Sequence, residues 1–224
     1  MIVEEDIPIG VADTVLRGDL EVPAGAGGIV LFAHGSGSSR SSPRNRRVAA
    51  QLRNAGLGTL LFDLLTEAEE SAEASTGRYR FDIALLATRL AAVTDWVAET
   101  RGKRLNLGYF GASTGAAAAL VAAAAKPDTI RAVVSRGGRP DLAGPALPDV
   151  RAPTLLLVGG DDTVVLDLNR RALRELGCAK ELVVVPGATH LFEEPGALET
   201  VAEHAARWFA RYLLERDTRP GTFP

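Results

Sequence analysis

A repeated alternation constrains this chain most: short, unbroken apolar runs, each followed by a longer helical pattern. The runs fall at residues 28–33, 58–62, 105–110, 131–135, 154–158 and 181–185. A strand that is apolar at every position is covered on both faces, as in a parallel sheet held between helix layers. Before them, residues 2–9 and 14–22 alternate polar and apolar positions and read as an antiparallel edge. Eight strands are therefore predicted, six of them buried. The helical patterns cover 44–55, 81–100, 114–125, 166–176 and 197–214. Gly56, Gly102 and Gly177 stand at helix ends, where a left-handed residue closes the last turn.

This reading gives a mostly parallel α/β fold in one domain over residues 1–218, with 219–224 as a flexible tail. Residues 65–80 are the least structured internal stretch. Their Glu67, Glu69, Glu70 and Glu73 predict a solvated loop or frayed helix, since runs of like charge are usually solvated. After the sixth strand only residues 137–150 are available, too few for a helical lid, so an open site is expected.

Composition excludes several functions. The net charge of −3 is spread along the chain, which gives no basic face for nucleic acid or a membrane surface. No apolar run approaches the roughly 20 residues needed to cross a bilayer. Cys178 is the only cysteine, so no internal disulfide forms and an oxidising compartment is not implied. The acidic opening Met1-Ile2-Val3-Glu4-Glu5-Asp6 is unlike a signal peptide, and the cytoplasm is the expected location. His34, His190 and His204 are too scattered for a metal site. No cofactor is called for, and nothing specific argues for or against a homodimer.

The chemistry concentrates at Gly111-Ala112-Ser113-Thr114-Gly115. The strand at 105–110 runs into it and the helix at 114–125 leaves it, the setting of a serine nucleophile held on a strained strand-to-helix turn. Such a turn needs minimal side chains two residues either side of the serine, and Gly111 and Gly115 supply them. It also places Ser113 at a positive helix N-terminus, where developing negative charge is favoured.

A hydroxyl needs a base, and the base needs an acid to orient it. His204 lies inside a helical pattern, and His34 precedes the serine. His190 alone has the order and position of the base, in a loop after the last strand. The acid belongs after the strand at 154–158, where Asp161 and Asp162 both stand. Asp162 fits the spacing Gly159, Asp162, Val165 and is preferred, leaving Asp161 to brace the turn. The oxyanion donors are expected to be the backbone N–H of Thr114 and that of Ser36, with Gly35 as the neighbouring option. His34 would shape that loop.

Together these segments resemble the dienelactone hydrolase family of α/β-hydrolases across nearly the whole chain. The stretch Tyr109-Phe110-Gly111-Ala112-Ser113-Thr114-Gly115 is similar to a branch sometimes fused to phosphoribosyltransferase domains, as are Ser135-Arg136-Gly137-Gly138-Arg139 and Ala188-Thr189-His190-Leu191-Phe192. The resemblance implies an α/β-hydrolase fold and hydrolysis of esters or lactones. One departure stands out: members acting on dienelactones carry cysteine at the elbow, and here it is Ser113. That favours general esterase chemistry on small carboxylic esters. Thioesterase, peptidase and perhydrolase chemistry use the same triad, and a weakly active binding module keeps the same fold. Arg136 and Arg139 follow a strand at its carboxyl end and are candidates for a substrate carboxylate, unless solvent or Asp141 and Asp149 hold them. Arg40, Arg44, Arg46 and Arg47 lie just after the oxyanion loop and invite the same question.

Overall fold

A computed structural model describes residues 1–12, 14–101 and 105–214. The predicted tail at 219–224 and the predicted helix end at Gly102 lie outside the described residues. Eight strands form one sheet: β1 (Ile2–Val11), β2 (Thr14–Val22), β3 (Gly28–Ala33), β4 (Gly58–Phe62), β5 (Asn106–Ala112), β6 (Ile130–Arg136), β7 (Thr154–Gly159) and β8 (Lys180–Val185). Their spatial order is β1-β2-β4-β3-β5-β6-β7-β8. β1 and β2 pair antiparallel, and β2 joins β4 antiparallel. From β4 onward every pairing is parallel. Every residue of β3, β4 and β7 is buried, the physical counterpart of their unbroken apolar sequence.

β8 departs from the expectation of six buried strands. It lies at the sheet edge, with Lys180, Glu181 and Val184 exposed. A Leu-Val-Val-Val run reads alike at an edge and in the middle, because neighbours and not the strand decide coverage.

Among the described residues six α-helices flank the sheet: α1 (Pro43–Asn54), α2 (Glu67–Thr76), α3 (Ile83–Arg101), α4 (Thr114–Ala125), α5 (Thr163–Glu175) and α6 (Ala197–Phe209). On one face Leu86, Leu90 and Val93 of α3 and Ala117–Ala119 of α4 pack on Leu31, Leu60 and Tyr109. On the other, Val48 and Leu52 of α1 meet Val201 and Phe209 of α6 over Phe32 and Phe110. The two phenylalanine rings lie 4.9 Å apart on neighbouring strands. The alanines at 116–119 are fully buried, which lets α4 approach the sheet closely. A π-helical turn, Ala210–Leu214, continues α6, where one uninterrupted helix was predicted.

The acidic stretch is a capped helix, the helical one of the two expected forms, and it is less solvated than expected. In α2 the N-cap Thr66 Oγ1 accepts from Glu69 N–H at 3.3 Å, and Glu69 Oε2 accepts from Thr66 N–H at 2.8 Å. This is a capping box, reciprocal at the helix start. Gly77, at φ 60°, closes the other end. Only Glu67 and Glu70 of the four acids are fully exposed. Glu69 holds both terminal nitrogens of Arg89, at 2.6 and 2.7 Å. Glu73 is 2% exposed and accepts from Tyr79 N–H and Arg80 Nε–H, each at 2.6 Å.

Candidate active site

β5 delivers Ser113 to the carboxyl edge of the sheet as the N-cap of α4, with φ 51° and ψ −120°. Positive φ is strained for any residue with a Cβ, and such strain is typical of functional turns. The flanking glycines make the turn possible. A Cβ on Gly115 would lie 2.2 Å from Ala33 O, and one on Gly111 would lie 2.4 Å from Ala116 Cα. The backbone is pinned from β6, since Ser113 N–H donates to Arg136 O at 3.2 Å and Arg139 N–H donates to Ser113 O at 3.1 Å.

Asp162 occupies the N-cap of α5, yet its side chain caps nothing. Aspartate at that position normally accepts from the first-turn N–H groups. Here Oδ2 instead accepts from His190 Nδ1–H at 2.6 Å. Asp161 ties the two loops together, its N–H donating to Ala188 O at 3.0 Å. The Asp162 carboxylate is largely enclosed, whereas the imidazole is 39% exposed. That ring reaches the strand beside the serine: a Cβ on Gly137 would sit 3.6 Å from His190 Cε1. Three loops distant in sequence thus bring Ser113, His190 and Asp162 to one edge of the sheet.

The expected second oxyanion donor is engaged. Ser36 N–H donates to Thr114 Oγ1 at 2.9 Å, so the hydroxyl next to Ser113 holds the loop in place. Thr114 N–H opens α4, where backbone donors have no acceptor within the helix. His34 braces the same loop from beneath. Its Nε2 accepts from Leu64 N–H and its Nδ1–H donates to Gly35 O, both at 3.0 Å. Those partners require the neutral ring, and burial pushes the His34 pKa below its ordinary value.

A small depression adjoins Ser36 and Thr114, lined also by Leu64, Leu65, Leu86, Glu70 and Arg80. The 63–82 connection contributes Leu64, Leu65, Glu70 and Arg80 to this depression, and sequence reasoning missed it because the stretch looked solvated. The Thr66–Glu69 spacing was the signal available.

The arginines are mostly committed. Arg139 grips Asp141 through Nε and Nη2 at 2.8 and 2.7 Å. Arg40 pairs with Asp63 and Asp6, Arg44 with Glu193, Arg46 with Asp19 and Arg47 with Glu199. Among the described residues Arg136 has no such partner. Among the described residues no helix is long and apolar enough to cross a membrane, and no group of His, Cys, Asp and Glu side chains could hold a metal ion.

The dienelactone hydrolase family model matches residues 17–214. A crystal structure of a dienelactone hydrolase from Anabaena variabilis is 58% identical, with a TM-score of 0.92 over 94% of this chain and 99% of that one. Est1E from Butyrivibrio proteoclasticus shares the fold at 17% identity, with a TM-score of 0.79 over 95% of this chain and 100% of that one. A Mycobacterium tuberculosis protein named "Putative phosphoribosyl transferase" is 57% identical over 211 residues, 94% of this chain and 47% of that protein. The chain therefore spans about half the length of the curated relatives it matches. The fold is that of the α/β-hydrolases, and the chain belongs to the dienelactone hydrolase family.

Proposed function

We propose that the protein hydrolyses small carboxylic esters or lactones through an acyl-enzyme on Ser113. The observation that carries this reading is the 2.6 Å bond from His190 to Asp162, an aspartate withdrawn from its helix cap. With Nδ1–H held by the carboxylate, His190 presents Nε2 as the base. Ser113 Oγ attacks the carbonyl carbon while His190 takes its proton. The carbonyl oxygen, now negative, is received by Thr114 N–H and by Ser36 N–H, which turns from Thr114 Oγ1. The tetrahedral centre collapses, His190 returns the proton to the leaving alcohol, and the acyl group stays on Ser113. Water then attacks, activated by the same histidine, and releases the acid and the free serine.

Leu64, Leu65 and Leu86 line part of the depression beside the oxyanion loop, an apolar lining that suits short acyl groups of acetyl to butyryl size. The transferase name belongs to a relative about twice as long and contributes nothing to this site. A panel of p-nitrophenyl esters, lactones and acyl thioesters, with Ser113→Ala as control, tests the proposal. Turnover of short esters that Ser113→Ala abolishes supports it. Preference for thioesters would reassign the substrate, and turnover surviving in Ser113→Ala would refute the mechanism.

A further inference from the structure

Arg136 is the anomaly beside the site. It ends β6 opposite Ala112, the residue before the nucleophile, and opposite Leu157 of β7. Its side chain is 8% exposed, yet Nε and Nη1 are enclosed without a hydrogen-bond partner. Ala132 and Val134 face the layer of α1 and α6, and strand alternation sends Arg136 to the same side. There the charge that bears on it is another cation, Arg44 of α1; burial and this neighbour push the guanidinium down to about 10. Of the carboxylates in the covering loop, Glu193 pairs with Arg44 and Glu194 Oε1 accepts from Thr189 Oγ1–H, while Glu194 Oε2 is enclosed without a partner.

Burying an unpaired charge is strongly unfavourable, and native structures rarely leave such a group without an ion or other partner. A guanidinium edge presents parallel donors that match two oxygens of one oxyanion. Arg44, the cation that bears on Arg136, likewise has its Nε enclosed without a partner.

We infer that Arg136 and Arg44 form an anion site that takes one carboxylate or phosphate group next to the Ser113 turn. The group is either free in solution or carried by the substrate. The site stands apart from the esterase reading, whereas its substrate-borne form rests on that reading and would make the preferred esters anionic.

The full chain is tested by thermal unfolding during titration with sodium phosphate and sodium acetate, against sodium chloride at matched ionic strength. The wild type is expected to show a Tm that rises and saturates with the oxyanions. Arg136→Met, which removes the charge and keeps the length, loses the saturable rise. Arg136→Lys keeps the charge without the fork and should need about tenfold more anion. A parallel assay compares kcat/KM for a p-nitrophenyl hemiglutarate and a p-nitrophenyl butyrate. A fall of about tenfold or more in that ratio on Arg136→Met assigns a substrate-borne group, since the substitution deletes a charge-assisted contact. An unchanged ratio with the Tm response lost assigns a free anion. A wild type whose Tm shows no saturable rise and whose ratio equals that of Arg136→Met overturns the site. If no ester turns over, the esterase reading fails and the Tm titration still decides the site.

Discussion

His190 Nδ1–H donates to Asp162 Oδ2 across 2.6 Å, joining residues that stand 28 apart in the chain. Asp162→Asn keeps the shape and reverses the hydrogen-bonding demand, which stabilises the wrong imidazole tautomer. The expected loss in kcat is on the order of 10⁴, with little change in thermal stability. Steady-state kinetics on a short p-nitrophenyl ester, alongside a melting curve, measures both.

Thr114 Oγ1 holds Ser36 N–H at 2.9 Å. Thr114→Val retains the branched shape and deletes the acceptor. Removing the acceptor of this part-buried bond should cost about 1 kcal/mol of stability or less. With the oxyanion loop loosened, kcat should fall further than KM rises, by about tenfold or more. Denaturant unfolding and the kcat–KM split check the two parts separately.

Gly115 admits no side chain, because a Cβ there would lie 2.2 Å from Ala33 O and 2.4 Å from His34 O. Both contacts are backbone and cannot swing aside. Gly115→Ala should lose about 3 kcal/mol or more, read as a lowered denaturant midpoint or a failure to yield folded protein. Gly37→Ala is the control for space: nothing lies within 4 Å of its Cβ position, and its penalty comes from its φ of 71° alone.

Glu69, held by Arg89, has its carboxyl lowered from 4.5 to about 2. A depressed carboxylate stabilises the fold above its unfolded value and loses that stabilisation as it takes up a proton. The contribution is therefore complete above about pH 4.5 and fades as pH falls toward about 2. Glu69→Gln should be less stable than the wild type at neutral pH and converge on it over that window, as followed by denaturant unfolding against pH.

Most of this architecture was legible because parallel strands advertise themselves: β3, β4 and β7 are apolar at every position and buried at every position. The elbow was legible for a steric reason, since the demand on Gly111 and Gly115 is local. What escaped depended on partners remote in sequence. Glu69 and Glu73 read as solvated acids until Arg89 and Arg80 were seen beside them. β8 read as buried because its edge position is a property of the sheet. Arg136 and Arg139 read alike, and only the fold separates one bound to Asp141 from one whose Nε and Nη1 are enclosed without a partner.

The most direct measurement is intact-mass and peptide analysis after reaction with a fluorophosphonate, which labels a serine only when a base activates it. The account predicts a single adduct on Ser113, abolished by Ser113→Ala and strongly slowed by His190→Ala. A folded chain that remains unlabelled, or an adduct on any other residue, would contradict it.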